Sequence, residues 1–231
     1  MEFSKLAGFN DIVKAKEGEV FDVELEKDVL NANRKLAQEN RQLLEKHGIK
    51  AIDIMGAIGA GKTSLITRLV EHLKGRYRIA AFKGDLTTTI DAEMIGRHNV
   101  KVVAINTGKE CHLDANLIKK ALERLDLDKI DLLFIENVGN LICPAEFPLG
   151  SEKRMVVISV TEGPYMVVKH PFIFMDASVV AINKIDLAAA MDVDVKKLEA
   201  DVKRINPSAK VVATNCRTGD GIKEVVEALG L

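Results

Sequence analysis

The chain has 231 residues, 47% of them hydrophobic, which is enough to bury one substantial core and fits one domain with an appendage better than two. A formal net charge of −1 gives no long-range attraction to nucleic acid or to an anionic membrane surface, so neither is expected as a partner. No apolar run approaches the ~18 residues of a membrane span and the start, MEFSKLAGFNDIV, lacks a basic segment leading into an apolar core, so the chain reads as cytoplasmic; three cysteines are too few for a disulfide scaffold and are left for metal binding, redox chemistry or burial.

Residues 1–27 carry little pattern beyond a short alternating piece at Val20, Val23 and Leu25 after Lys16-Glu17-Gly18-Glu19, and are expected to form an N-terminal arm. From Asp28, a good N-cap, to Gly48, a good C′ residue, the spacing predicts a helix over 28–47. Val29, Leu36 and Leu43, with Leu44 beside them, form a stripe on one face. That stripe either packs on the chain's own domain or receives a partner.

The next stretch, AIDIMGAIGAGKTS at 51–64, has an apolar run, then glycine, four residues, glycine, lysine and threonine, then apolar residues at helical spacing. This is the P-loop pattern in its proper setting between a strand and a helix. Phosphates crowd a tight turn, and residues without a Cβ let successive backbone N–H groups converge on them. Gly56, Gly59, Ala60, Gly61, Lys62, Thr63 and Ser64 are therefore the expected cradle. Lys62 would reach the β- and γ-phosphates, the Thr63 hydroxyl would bind Mg²⁺, and the helix N-terminus adds partial positive charge.

Further strand-like runs occur at 77–83, 100–106, 130–136, 155–160, 178–183 and 210–215, with helical patterns at 62–75, 91–98, 113–126, 194–205 and 220–229. The alternation predicts an α/β fold, a mostly parallel sheet with helices on both faces and ligands at the carboxyl ends of the strands.

Four loops at those ends carry candidate chemistry. After the second run, Asp85 is a candidate for ordering Mg²⁺ or the attacking water, unless it and Asp91 only cap a turn and a helix. After the third, Cys111-His112 precedes a helix, and Cys143 follows the fourth; thiolate and imidazole suit Zn²⁺ or Ni²⁺, with a fourth ligand left to water or a second subunit. The fourth run ends in Glu136 with Gly139 three residues on, where many GTPases have Asp-x-x-Gly: Glu136 would reach Mg²⁺ through water and the Gly139 N–H would sense the γ-phosphate. The sixth leads into Asn183-Lys184-Ile185-Asp186. The Asp186 carboxylate can accept guanine N1–H and N2–H together, a donor pair adenine lacks, which selects GTP over ATP. The loop 214–219 matches a guanine-touching loop poorly, and Cys216 is expected to be inert.

GAIGAGKT, GDLTTTIDA, TGKECHLDA, ENVGNLICPAE and NKID, in this order, resemble the hydrogenase nickel-incorporation GTPases of the HypB family over about residues 28–231. The resemblance implies a SIMIBI-type P-loop G domain that hydrolyses GTP, forms a GTP-dependent homodimer, and binds Ni²⁺ or Zn²⁺ through Cys111, His112 and Cys143 near the dimer interface. It further implies delivery of nickel to a [NiFe]-hydrogenase, with the hydrogenase large subunit or another maturation protein as partner. Two features depart from relatives. No cysteine precedes Cys111 and the first histidine is His47, so a separate N-terminal metal site is not supported. The early P-loop lysine of related dimeric ATPases is replaced by Ala57 or Ile58, so cross-subunit catalysis by that lysine is not supported either. The expected function is a GTP-gated nickel metallochaperone. The alternatives are a regulatory GTPase with a structural zinc site at its dimer interface and a urease-type nickel GTPase, whose Cys-Pro-His signature is absent.

Overall fold

Seven runs rich in aliphatic residues pair side by side as parallel strands: β1 (Lys50–Met55), β2 (Ile79–Asp85), β3 (Lys101–Asn106), β4 (Leu132–Glu136), β5 (Lys153–Ser159), β6 (Val179–Asn183) and β7 (Lys210–Ala213). Their spatial order is β3-β2-β4-β1-β5-β6-β7, which puts β1 in the middle. In this computed structural model residues 23–85, 95, 96, 98, 100–108 and 110–231 are described, without the side chains of 23–26 and 85. Most of the expected arm 1–27 and most of the helical pattern at 91–98 lie outside the described residues. Among the described residues no helix is long and apolar enough to cross a membrane.

Strands with no polar face must be covered on both sides. On one face, α2 (Lys62–Leu73) and α8 (Ile222–Leu229) bury Leu65, Leu69, Val225 and Leu229 against Ile52, Ile54 and Phe134. On the other, α1 (Val23–Lys46) and α3 (Ala115–Leu122) cover one half, with Leu44, Ile118 and Leu122 packed on Phe82, Leu133 and Ile135. The second half is covered by α7 (Val195–Ile205) and two short helices without a clear sequence period, α5 (Met166–Lys169) and α6 (Phe172–Met175), which pack on Met55, Val156 and Ile182.

Helix α1 corrects the sequence reading in two ways. It begins at Val23, so Asp28 lies inside it rather than capping it. Its buried face is Asn33, Ala37, Asn40 and Leu44, at helical spacing, while Val29 is 49% exposed. The two asparagines are buried because they hydrogen-bond to backbone groups at the start of α3 and in the 148–149 loop. Asn33 Oδ1 accepts from the Ala115 N–H and its amide donates to Pro148 O; the Asn40 amide donates to Ala115 O and Leu149 O. The helix thus packs on its own domain and clamps the start of α3 to the 148–149 loop.

Candidate nucleotide and metal site

β1 runs out at Met55, the chain turns through 56–61, and α2 starts at Lys62. Gly56 has φ 145°, and a Cβ there would lie 2.1 Å from the Val157 carbonyl oxygen, so only glycine fits. The Lys62 ammonium folds back over the loop and donates to the carbonyls of Gly56 and Ala57, both at 2.9 Å. Thr63 Oγ1 donates to Glu136 Oε1 at 2.8 Å, joining the loop to the end of β4. Glu136 is 1% exposed, and among the described residues its Oε2 accepts no hydrogen bond. A hydroxyl and a buried carboxylate with an oxygen to spare are donors of the kind Mg²⁺ takes.

Lys83 was not singled out from sequence. It lies in β2, buried, its ammonium paired with Glu136 Oε1 and 3.3 Å from Thr63 Oγ1. The available signal was a lysine directly after the apolar run 79–82, immediately ahead of Gly84-Asp85. Asp85 ends the same strand, paired with Asn106 of β3, and its side chain is outside the described residues.

On the other side of the P-loop, β6 ends at Asn183. Its amide donates to Ala60 O at 3.0 Å, while Oδ1 accepts from the Cys216 N–H and the Thr214 hydroxyl. Lys184 has φ 62°, the conformation that lets its ammonium reach Gly59 O at 2.7 Å. A cavity of about 330 Å³ opens here, lined by Gly61, Ser64, Asn183, Lys184, Asp186 and Cys216 among others. The 214–217 loop, a weak match in sequence, is therefore part of the wall. Arg68 of α2 holds it, donating to Cys216 O and Arg217 O. Burial pushes the Cys216 thiol up to about 11, which favours its protonated form.

The loops after β3 and β4 meet at the same end of the sheet and bring Cys111, His112 and Cys143 together. Their ligand atoms all lie within 4.8 Å of one another, with the two sulfurs 3.0 Å apart and Cys111 Sγ 3.9 Å from His112 Nδ1. Cys143 opens the short helix α4 (Cys143–Glu146) with Pro144 behind it. The hydrogen bond from Cys111, together with burial, holds the Cys143 thiol above its ordinary range. The His112 ring lies on Phe147, centroids 3.8 Å apart, and burial lowers its pKa, favouring the neutral form that ligates metals.

Asn137 and Arg154 anchor the loops that carry these three residues. Asn137 Oδ1 accepts from the N–H groups of Leu113 and Val138, and its amide donates to the fully buried Asp53 on β1. The guanidinium of Arg154, 3.9 Å from Asp53, donates to Ala145 O in α4. Between Glu136 and Cys143 the chain runs directly over the P-loop. A Cβ on Gly139 would be 2.3 Å from Ile58 Cγ1 and 3.0 Å from the Ile58 nitrogen, and Asn140 forms an isolated antiparallel bridge with Gly56.

A central parallel strand that ends in a glycine loop, with Lys-Thr opening the next helix and a carboxylate on the neighbouring strand, defines a P-loop nucleotide-binding protein. The family model described as CobW/HypB/UreG, nucleotide-binding domain, matches residues 50–213. The chain is 57% identical over 205 residues to the probable hydrogenase maturation factor HypB of Methanocaldococcus jannaschii, covering 89% of this chain and 93% of that one. Solved structures of HypB from Archaeoglobus fulgidus (47% identity, TM-score 0.82, 87% and 98% of the two chains) and of HypB from Helicobacter pylori in complex with nickel (31%, 0.81, 86% and 93%) have the same fold. The chain belongs to the HypB family of hydrogenase maturation factors.

Proposed function

We propose that this protein is a GTP-hydrolysing metallochaperone, its GTPase domain spanning 28–231 behind an arm at 1–27, that carries nickel toward a [NiFe]-hydrogenase in the cytoplasm. The observation that carries the reading is that Glu136, Gly139 and Cys143 lie on one strip of backbone pressed against the P-loop. The nickel complex of the Helicobacter pylori relative supports the choice of metal.

In this reading Asp186 accepts the guanine N1–H and N2–H, Lys184 lies along the base, and Asn183 braces it against the P-loop. Lys62 exchanges the two loop carbonyls for the β- and γ-phosphates, joined by N–H groups from Gly56, Gly59, Ala60, Gly61, Thr63 and Ser64. Thr63, Glu136 and Asp85 would hold Mg²⁺, which neutralises phosphate charge. The Gly139 N–H reads the γ-phosphate, and its release on hydrolysis moves Cys143 away from Cys111 and His112. Emptying a site from mostly loaded to mostly free requires affinities that differ by about 10⁴-fold, or ~5.5 kcal/mol, between nucleotide states. A second copy of the chain supplies the fourth ligand, so that GTP, dimer and metal favour one another, and the hydrogenase large subunit or another maturation protein receives the ion.

The test is the affinity for Ni²⁺ with a non-hydrolysable GTP analogue against that with GDP, followed by competition with Zn²⁺. A large ratio supports gated delivery. Equal affinities remove it, and zinc retained in every nucleotide state supports the alternative, a regulatory GTPase whose zinc only holds a dimer together.

A further inference from the structure

Asn140 touches the phosphate loop and both cysteine-bearing loops at once. Its backbone bridges Gly56, the first residue of the loop. Its Nδ2 donates to the carbonyl oxygen of Cys111 at 3.3 Å. Its Oδ1 accepts from the Ile142 N–H at 2.9 Å, setting the start of α4 one residue before Cys143. A side chain that must give and accept simultaneously at this reach has to be an amide: aspartate lacks the donor and leucine lacks both.

The remaining attachments of the ligand loops run to the sheet. Leu113 is held by Asn137, which rests on Asp53, and Ala145 is held by Arg154. Those partners are buried on β1 and β5 or stand directly after β4, and none of their hydrogen bonds reaches the phosphate loop. Among the described residues the cage thus has a fixed floor and, beside the close approach of Gly139 to Ile58, one side chain, Asn140, that ties both ligand loops to the strip bridged to the part of the site that a nucleotide would move.

Resting on the gated reading above, we propose that Asn140 is the positioning residue that couples the two sites: a displacement of the phosphate loop at Gly56 is passed through Asn140 to the Cys111 carbonyl and to Cys143, changing the separation of the two thiolates. It touches neither the nucleotide nor the metal. Its role is to make two ligand loops follow one backbone bridge, which is the kind of two-state element that coupling between sites needs.

The experiment compares full-length wild type, Asn140→Ala and Asn140→Asp, measuring Ni²⁺ affinity and the sulfur-to-nickel charge-transfer absorption with GDP and with a non-hydrolysable GTP analogue. Wild type gives an affinity ratio of at least about tenfold between the two states, and both variants bring it to within about threefold of one. Their charge-transfer bands stop depending on the nucleotide. GDP affinity changes by less than about threefold, because the bridge to Gly56 is made by backbone. Asn140→Asp keeps the acceptor for Ile142, loses the donor and adds a negative charge that acts in both nucleotide states, so the ratio still reads the coupling if Asn140→Ala does not fold. A ratio retained in either folded variant overturns the role of Asn140 alone, whereas a wild-type ratio of one ends this inference and the gated reading together.

Discussion

Lys83 offers its ammonium to Thr63 Oγ1 and Glu136 Oε1, the two oxygens proposed for Mg²⁺. A tethered cation and a dissolved one then compete for the same carboxylate. Lys83→Met is expected to lower the Mg²⁺ concentration that half-saturates nucleotide binding by about tenfold or more, read as a Mg²⁺ titration of a fluorescent GDP analogue. Without Mg²⁺ the variant leaves Glu136 buried and uncompensated, at a cost of about 3–5 kcal/mol. An unchanged Mg²⁺ midpoint would rule out the competition. Asp53 gives a second residue-scale prediction. Burial raises its pKa from 3.8 to about 6, against the opposing pull of Arg154 and the Asn137 amide. The folded state therefore holds the proton more tightly than the unfolded chain. Stability is complete below pH 3.8 and is lost as pH rises through about 6. The loss from this group is on the order of 3 kcal/mol between pH 4 and 7. Urea denaturation should show that decline in wild type and a flatter profile in Asp53→Asn; parallel profiles would assign the decline to other groups.

At the scale of elements, α1 is held to the domain by amides as much as by apolar contact. Asn40→Ala removes two hydrogen bonds and leaves the carbonyls of Ala115 and Leu149 buried without that donor. The expected loss is about 1–3 kcal/mol in chemical denaturation, with nucleotide affinity unchanged, since the helix does not line the base cavity. A loss near zero would mean that water replaces the amide. The same helix shows what the sequence could and could not announce. Its existence follows from a long run without glycine or proline ended by Gly48, but the apolar stripe at Val29, Leu36 and Leu43 only flanks the buried face, with Leu36 and Leu43 half-buried and Val29 exposed. Asparagine scores as a surface residue, and only the backbone ends of α3 and the 148–149 loop give Asn33 and Asn40 a reason to be inside. The strands were more legible: each begins and ends within two residues of its expected bounds, because an unbroken aliphatic run needs no partner to be recognised.

For the whole molecule, strand order decides which loops become neighbours. β4 lies between β2 and β1, so the loops bearing Glu136, Cys143 and the P-loop share one edge, with the Cys111 loop arriving from β3. In the proposed reading Cys111, His112 and Cys143 would supply three protein ligands at that edge, and dimerisation should depend on them. Sedimentation in GTP analogue and Ni²⁺ is expected to show a dimer for wild type and a shift toward monomer for Cys143→Ser, with GDP giving monomer for both. A metal-independent dimer would separate the cage from the interface.

The sequence by itself determined the pieces whose chemistry is local. The glycine spacing of 56–61 with Lys62-Thr63, the Asn-Lys-x-Asp at 183–186 and the seven aliphatic runs each carry their meaning within a few residues. Only the tertiary structure decided which pieces touch. That the sulfurs of Cys111 and Cys143 stand 3.0 Å apart across 32 positions, that a strand lysine rests on Glu136, and that Asn140 links the phosphate loop to both cysteine-bearing loops all follow from the order of strands in the sheet. That order is set by how the helices cover two apolar faces at once, a property of the whole chain that no short stretch contains.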